Sequence, residues 1–237
     1  MSIPFFYKKD ISHQDTTVIL DEDSSKHVVM VLRMQNEEII QVTDGVGTIY
    51  TCAITDNHRK KCVVMVINKR SIPLPAHHVC IAISLVKNNS RLEWFLEKAT
   101  EIGVRQMIPL ICERTEKQYF KWERMNSILI SAMLQSQQAW LPLLLEPTKF
   151  GVCLADTTAT QKLIAYCIDE ANKQSIQHLQ LRSNESTIML IGPEGDFSAH
   201  EIEAAIAQNF IPVTLGQNRL RTETAGIVAA TLLMHTL

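Results

Sequence analysis

From residue 78 onward the chain alternates short, unbroken apolar runs with helix-length amphipathic stretches, and that alternation leaves few folds open. His78–Val86, Met107–Cys112, Lys162–Cys167, Thr187–Ile191 and Pro212–Leu215 read as strands buried on both faces. Between them, Ser90–Ile102 reads as a helix stopped at Gly103, and Trp122–Ala139 as a long amphipathic helix ended before Pro142. Ser198–Gln208 reads as a helix with Ser198 as its cap and Glu201 closing a capping box. A last helix runs from about Glu223 to the C-terminus. Strands alternating with helices predict an α/β fold, a parallel sheet with helices on both faces.

The first seventy residues have another rhythm. Thr17–Leu20, Glu38–Thr43, Thr48–Ile54 and Lys61–Asn68 are β-branched runs, and Asp44-Gly45-Val46-Gly47 is a tight-turn signal between two of them. One helix interrupts, His27–Met34 capped by Ser24 or Ser25, with Val28, Val31 and Leu32 on one face. These spacings predict a small β-barrel carrying one helix. Ser71-Ile72-Pro73-Leu74-Pro75 reads as a linker, because two prolines break helix and sheet interior alike. The expected division is therefore a barrel over 1–72 and an α/β domain over 73–237.

Other classes are disfavoured. No stretch approaches the ~18 apolar residues of a membrane helix, and MSIPFFYKKD carries no cleavage-site pattern. Cysteines 52, 62, 80, 112, 153 and 167 are scattered, with no C-x-x-C and no histidine at zinc-ligand spacing. They read as buried free thiols of a cytoplasmic protein, and no metal site is expected.

Two loops carry the chemistry. Leu190-Ile191-Gly192-Pro193-Glu194-Gly195-Asp196-Phe197-Ser198 takes a strand straight into a capped helix. Leu215-Gly216-Gln217-Asn218-Arg219-Leu220-Arg221-Thr222-Glu223-Thr224-Ala225-Gly226 does the same. In a parallel sheet both lie at carboxyl strand ends, where ligands gather, and glycines let a ligand approach the backbone. Together they suit an adenine and a ribose. A G-x-G-x-x-G fingerprint, a G-K-[ST] phosphate loop and a G-x-S-x-G elbow are all missing, which argues against ordinary dehydrogenases, phosphate-loop hydrolases and α/β-hydrolases.

Ile191–Gly195 and Leu220-Arg221-Thr222-Glu223-Thr224-Ala225 resemble the signature loops of the SPOUT RNA methyltransferases, and within them the ribosomal RNA small subunit methyltransferase E family. His27–Met34 is similar to that family's N-terminal helix. Lys98–Val104, followed by Pro109 and Glu113-Arg114, is similar to its central helix–strand unit. The resemblance implies a PUA-like β-barrel followed by a SPOUT α/β domain with a trefoil knot, S-adenosylmethionine as cofactor, and a homodimer. It also implies 16S rRNA of the small ribosomal subunit as substrate, methylated at uridine N3. Ile191, Gly192, Pro193, Glu194, Gly195, Leu215, Gly216, Leu220, Thr222 and Thr224 would hold the cofactor. Uracil N3 carries a proton and must lose it, so Arg221 is expected to orient the base and stabilise its anion, with Glu223 as proton acceptor. A non-catalytic RNA-binding or assembly factor of the same fold stays open, as does a methyltransferase acting on another rRNA or a tRNA base.

Net charge adds a limit. Twenty-three basic and twenty-five acidic residues leave −2, which disfavours a protein that coats RNA indiscriminately. Local clusters matter more. Arg59-Lys60-Lys61 with Lys69-Arg70 forms a basic run beside the linker, and Arg33, Lys87, Arg91, Lys98, Arg114 and Arg124 extend the expected RNA track. One departure concerns the family's frequent Glu-Gln-Ser-x-Arg helix end. Here it reads Leu134-Gln135-Ser136-Gln137-Gln138, so the acid and the arginine are lost along with any role they have.

Overall fold

The computed structural model describes residues 3–75, 77–167 and 173–235. The chain forms two compact units: Met1–Leu74 with Met133–Leu141, and Pro75–Ala132 with Pro142–Leu237.

The first unit is built on a five-stranded sheet in the order β1 (Phe5–Tyr7), β3 (Ile39–Thr43), β4 (Thr48–Asp56), β5 (Val63–Ser71), β2 (Thr17–Ile19). Only the β1–β3 pair is parallel. Alternate residues point to one face, and Ile40, Val42, Tyr50, Cys52, Ile54 and Val64 bury that face around Val28. Asp44 shapes the turn between β3 and β4, its Oδ1 accepting from the N–H groups of Val46 and Thr48. Gly47 has φ +101°, and a Cβ there would overlap the Trp140 ring at 2.4 Å. The indole needs that space because Trp140 and its neighbours complete this unit. Gly47 N–H donates to Ala139 O, Leu141 N–H to Gly45 O, and Trp140 Nε1 to Ile72 O.

Two sequence expectations fail here. Instead of one helix over His27–Met34, α1 (Glu22–Lys26) is capped by Asp21, whose side chain accepts from Ser24 N–H, and passes into a π-helical turn over His27–Val31. Val28 is buried, but Val31 and Leu32 are exposed, because a five-residue hydrogen bond turns the chain by a different angle than 3.6 residues would. The basic run is also divided. Arg59–Lys61 occupy the β4–β5 turn, whereas Lys69 and Arg70 lie near the far end of β5, a strand of nine residues.

In the second unit every strand pairing among the described residues is parallel, and the order is β11 (Gln174–Ser175), β13 (Ile211–Thr214), β10 (Gln161–Ala165), β12 (Ser186–Ile191), β6 (His78–Ser84), β7 (Gln106–Ile111), β8 (Leu143–Leu144). The short β9 (Thr148–Lys149) also pairs with β7. Helix α2 (Asn89–Ile102) is capped by Asn88 and ends at Gly103, which has φ +101°. Helix α3 (Trp122–Gln135) stops four residues short of its expected end, and α4 (Phe150–Asp156) has no counterpart in the sequence reading. Helix α5 (Ala199–Ala207) begins with the expected capping box of Ser198 and Glu201. Helix α6 (Thr222–His235) closes the chain and packs on α2 and β6. A continuous apolar core, including Ala82, Leu110, Ile164, Ile188, Leu190 and Phe197, fills the sheet's other side.

Candidate functional site

The carboxyl ends of β10, β12 and β13 lie side by side and open into a cavity of about 640 Å³. The loop after β12 forms one wall with Ile191, Gly192, Pro193 and Glu194. A Cβ on Gly192 would stand 3.1 Å from the Phe197 ring, so glycine is what lets that buried ring close under the loop. Asp196 holds the turn with φ +63°. Its Oδ1 accepts from Phe197 N–H at 2.9 Å, its Oδ2 from Cys167 N–H at 2.8 Å, and its own N–H donates to Pro193 O at 2.9 Å. Both oxygens of buried Glu201 are occupied, one by Ser198 N–H and the other by Glu113 N–H, each at 2.9 Å.

The loop after β13 forms the facing wall. Leu215, Gly216, Leu220, Arg221 and Thr222 line it. Gly216 has φ +142°, and a Cβ there would meet nothing within 4 Å, so its backbone borders open space. The hydroxyl of buried Thr222 donates to Gly192 O at 3.0 Å and ties the two loops together. The Arg221 carbonyl accepts from Ala225 N–H at 2.8 Å and fixes the entry to α6. Its exposed guanidinium has no hydrogen bond or ion pair among the described residues.

The sequence-predicted residues divide. Gly195 and Thr224 are not in the cavity wall, and neither is Glu223. Glu223 is 7% exposed, with Oε1 3.5 Å from Arg91 Nε, while its buried Oε2 has no hydrogen-bond partner among the described residues. A third wall, Ala165, Tyr166, Cys167 and Lys173, was missed. The Lys173 ammonium sits 2.7 Å from Tyr166 O and 4.4 Å from that ring's centroid. No glycine or capping signal marks this segment. Only its place after a strand adjacent to β12 gives it away.

The cations divide as well. Arg114 Nη1 donates to Gly195 O at 2.8 Å, and its side chain lies across Gly195 at 3.5 Å from where a Cβ would be. Arg91 faces Glu223, Lys87 pairs with Glu116 at 2.7 Å, and Lys98 with Glu97 and Glu101. Arg124 makes a two-point contact with Glu93. In the first unit Arg33, Arg59, Lys60 and Lys61 are exposed, and their side chains have no acidic partner among the described residues.

Five cysteines are buried and Cys167 is exposed. Burial pushes the Cys52 and Cys153 thiols up to about 11 and that of Cys112 up to about 12, which keeps them protonated near neutrality.

This is a strand-end cavity lined by backbone groups and hydroxyls, with an unpaired guanidinium in its wall, and the comparisons with known proteins bear on the same segments. An RNA methyltransferase domain profile matches residues 73–234, and an RNA methyltransferase PUA domain profile matches 20–67. The chain is 31% identical over 221 residues to ribosomal RNA small subunit methyltransferase E of Synechocystis, covering 91% of this chain and 72% of that protein. The crystal structure of a "probable rRNA-methyltransferase" from Porphyromonas gingivalis superposes with a TM-score of 0.88 at 39% identity, over 96% of this chain and 95% of the other. Ribosomal RNA small subunit methyltransferase E from Neisseria gonorrhoeae, solved bound to S-adenosyl methionine, gives 0.86 at 26% identity over 97% and 95%. The architecture is thus a PUA-like N-terminal domain followed by an α/β domain with a parallel sheet. With the profile spanning both the sheet and the two loops that line its cavity, the chain belongs to the ribosomal RNA small subunit methyltransferase E family of RNA methyltransferases.

Proposed function

We propose that this protein methylates N3 of a uridine in 16S rRNA of the small ribosomal subunit, with S-adenosylmethionine as methyl donor, acting as a cytoplasmic homodimer. The observation that carries the reading is the tied pair of loops around the cavity, with Arg221 unpaired in the wall. The residues present fit the cofactor. A cavity of about 640 Å³ is the size small-molecule sites usually have, and Gly216 leaves its backbone open to a ligand. Ile191, Gly192, Leu215, Gly216 and Leu220 offer main-chain groups, and Thr222 holds the two walls at a fixed spacing. A trefoil knot in this segment belongs to the same reading.

When bound, the cofactor supplies an electrophilic methyl carbon on a sulfonium. The chain must do the rest. Uracil N3 is on the pairing edge, so the target base has to be unpaired before it enters. N3 attacks only as its proton leaves, and negative charge then grows over the uracil ring. In this reading Arg221 meets that charge from the cavity wall, as an exposed guanidinium that no acid among the described residues neutralises. Glu223 is the proton acceptor of this reading, its Oε2 having no hydrogen-bond partner among the described residues. Because Glu223 is outside the wall, acceptance requires its side chain to turn or a water to relay the proton.

The test is to incubate the protein with methyl-labelled S-adenosylmethionine and small subunits that lack the modification, then resolve the nucleosides by mass. Label in 3-methyluridine is the expected result. Label in another nucleoside, or none, overturns the proposal.

Two further outcomes follow from the site. Iodoacetamide should alkylate Cys167 alone in the native protein, and S-adenosylhomocysteine should block the reaction, because Cys167 lines the cavity while the other thiols are buried. Peptide mass mapping reads this; labelling that ignores the ligand would place Cys167 outside the bound site. Arg114→Ala should weaken S-adenosylhomocysteine about tenfold, since it removes a charge-assisted bond to Gly195 O. The salt dependence of RNA binding should not move. A slope lower by roughly 0.7–0.9 would instead make Arg114 a phosphate contact.

A further inference from the structure

The wide turn at His27–Val31 does more than disturb a helix. Val28 and Met34 are anchored in the core of the first unit, yet between them Met30, Val31 and Leu32 are 60%, 65% and 40% exposed. Leu32 N–H reaches back five residues to His27 O at 2.9 Å, and Met34 N–H reaches back six to Val28 O at 3.0 Å. These bonds lift three consecutive apolar side chains off the unit as a knuckle. Arg33 ends it with φ +56°, a conformation that a residue with a Cβ adopts only where the surroundings hold it. Single π-helical turns and held backbone strain both concentrate at functional positions.

The knuckle is fastened at both ends to the β4–β5 turn. Cys62 N–H donates to Ser25 Oγ at 2.9 Å on one side. On the other, Asn57 N–H donates to Asn36 Oδ1 at 3.1 Å and Asn57 Nδ2 to Met34 O at 3.4 Å. Arg59, Lys60 and Lys61 therefore stand beside it. Of the nearby acids, Glu22 pairs with Lys26 and Glu38 Oε2 accepts from Gln35 N–H, while Asp23, Glu37 and Asp56 are exposed and pair with none of Arg33, Arg59, Lys60 and Lys61 among the described residues.

Apolar side chains raised among unpaired cations match a polyanion that also has apolar faces. Single-stranded RNA is such a partner, since unstacked bases pack on side chains while their phosphates meet lysine and arginine. A second copy of this surface would instead bring like charges together. We infer that Met30, Val31 and Leu32 pack against an unpaired base of the RNA substrate while Arg33, Arg59, Lys60 and Lys61 hold the flanking phosphates. This rests on the RNA substrate proposed above, and adds to it a contact made by apolar side chains rather than charge.

Charge and apolar contacts separate in a salt series. Binding of unmodified small-subunit rRNA transcript to the full-length protein is measured by filter retention at rising potassium chloride. Arg59→Gln with Lys60→Gln and Lys61→Gln should flatten the log–log slope by roughly 0.7–0.9 per lost contact. Met30→Ser with Val31→Ser and Leu32→Ser should weaken binding about tenfold at every salt concentration with the slope unchanged. Its affinity for S-adenosylhomocysteine should equal that of the parent. Val31→Ser alone repeats the test with the smallest perturbation of the fold. Serine variants that bind the transcript as the parent does, while the parent binds well, defeat the knuckle and leave the proposed function standing. A shift in oligomeric mass on light scattering with the serine variants assigns the surface to a second copy and also overturns it. A parent protein that does not bind the transcript at all defeats the RNA substrate itself.

Discussion

Arg221→Ala lowers turnover by about a hundred- to a thousandfold and leaves affinity for S-adenosylhomocysteine nearly unchanged. The two halves of this expectation have separate grounds. In the proposed reaction charge develops on the uracil ring only as the N3 proton leaves, so a guanidinium that meets it acts on the transition state more than on either bound ligand. Arg221 has the freedom for this, because no described residue neutralises it. Its backbone, by contrast, is fixed independently of its side chain. The carbonyl accepts from Ala225 N–H, and the next residue, Thr222, is held by Gly192 O. Alanine keeps both bonds, so the two loops proposed to hold the cofactor stay tied. Single-turnover kinetics and calorimetry on the same variant separate the effects. Equal losses in rate and affinity would make Arg221 a cofactor ligand rather than a group that meets the base.

The candidate site was legible where its loops use residues with unusual backbone demands. Gly192 and Gly216 interrupt apolar strands, Ser198 and Glu201 mark a helix start, and both loops could be found from those features alone. Tyr166, Cys167 and Lys173 follow a strand without any such marker. Their part in the cavity depends on β10 lying between β12 and β13, which is a fact of sheet order. Glu223 as proton acceptor rests on the resemblance and the need for a base, and no spacing could place it. Successive helical residues point about 100° apart, so it lies outside the wall that Thr222 lines, with its side chain toward Arg91. The same limit applies to Met133–Leu141. Its amphipathic spacing continues that of α3, yet the helix ends at Gln135, Gln137 takes φ +55°, and the segment completes the first unit. Periodicity reports how residues repeat along an element and not which core receives them.

Gly226→Val is expected to destabilise the protein by about 3 kcal/mol or more, although the residue touches no ligand. Gly226 lies in the interior of α6, where another residue would ordinarily gain up to about 1 kcal/mol in helix propensity over glycine. Packing reverses the sign. A Cβ there would stand 2.6 and 2.8 Å from two carbons of the Phe95 ring and 2.9 Å from Ile83 Cδ1. Both side chains are buried in the second unit and have no solvent to retreat into. Val adds two more methyl groups at the same place, so α6 must move away from α2 and β6. Gly151 supplies the contrast: it is exposed in α4, a Cβ there meets nothing within 4 Å, and Gly151→Ala should stabilise by about 0.5–1 kcal/mol. Thermal unfolding compares the two, with about 2–4 °C expected per kcal/mol for a chain of this size. Because Thr222 begins the helix that Gly226 seats, a displaced α6 also pulls on the bond to Gly192 O, and affinity for S-adenosylhomocysteine should fall with stability. A Gly226→Val variant as stable as its parent would mean that Phe95 and Ile83 can repack, and that the close approach of α6 is not what sets the spacing of the two loops.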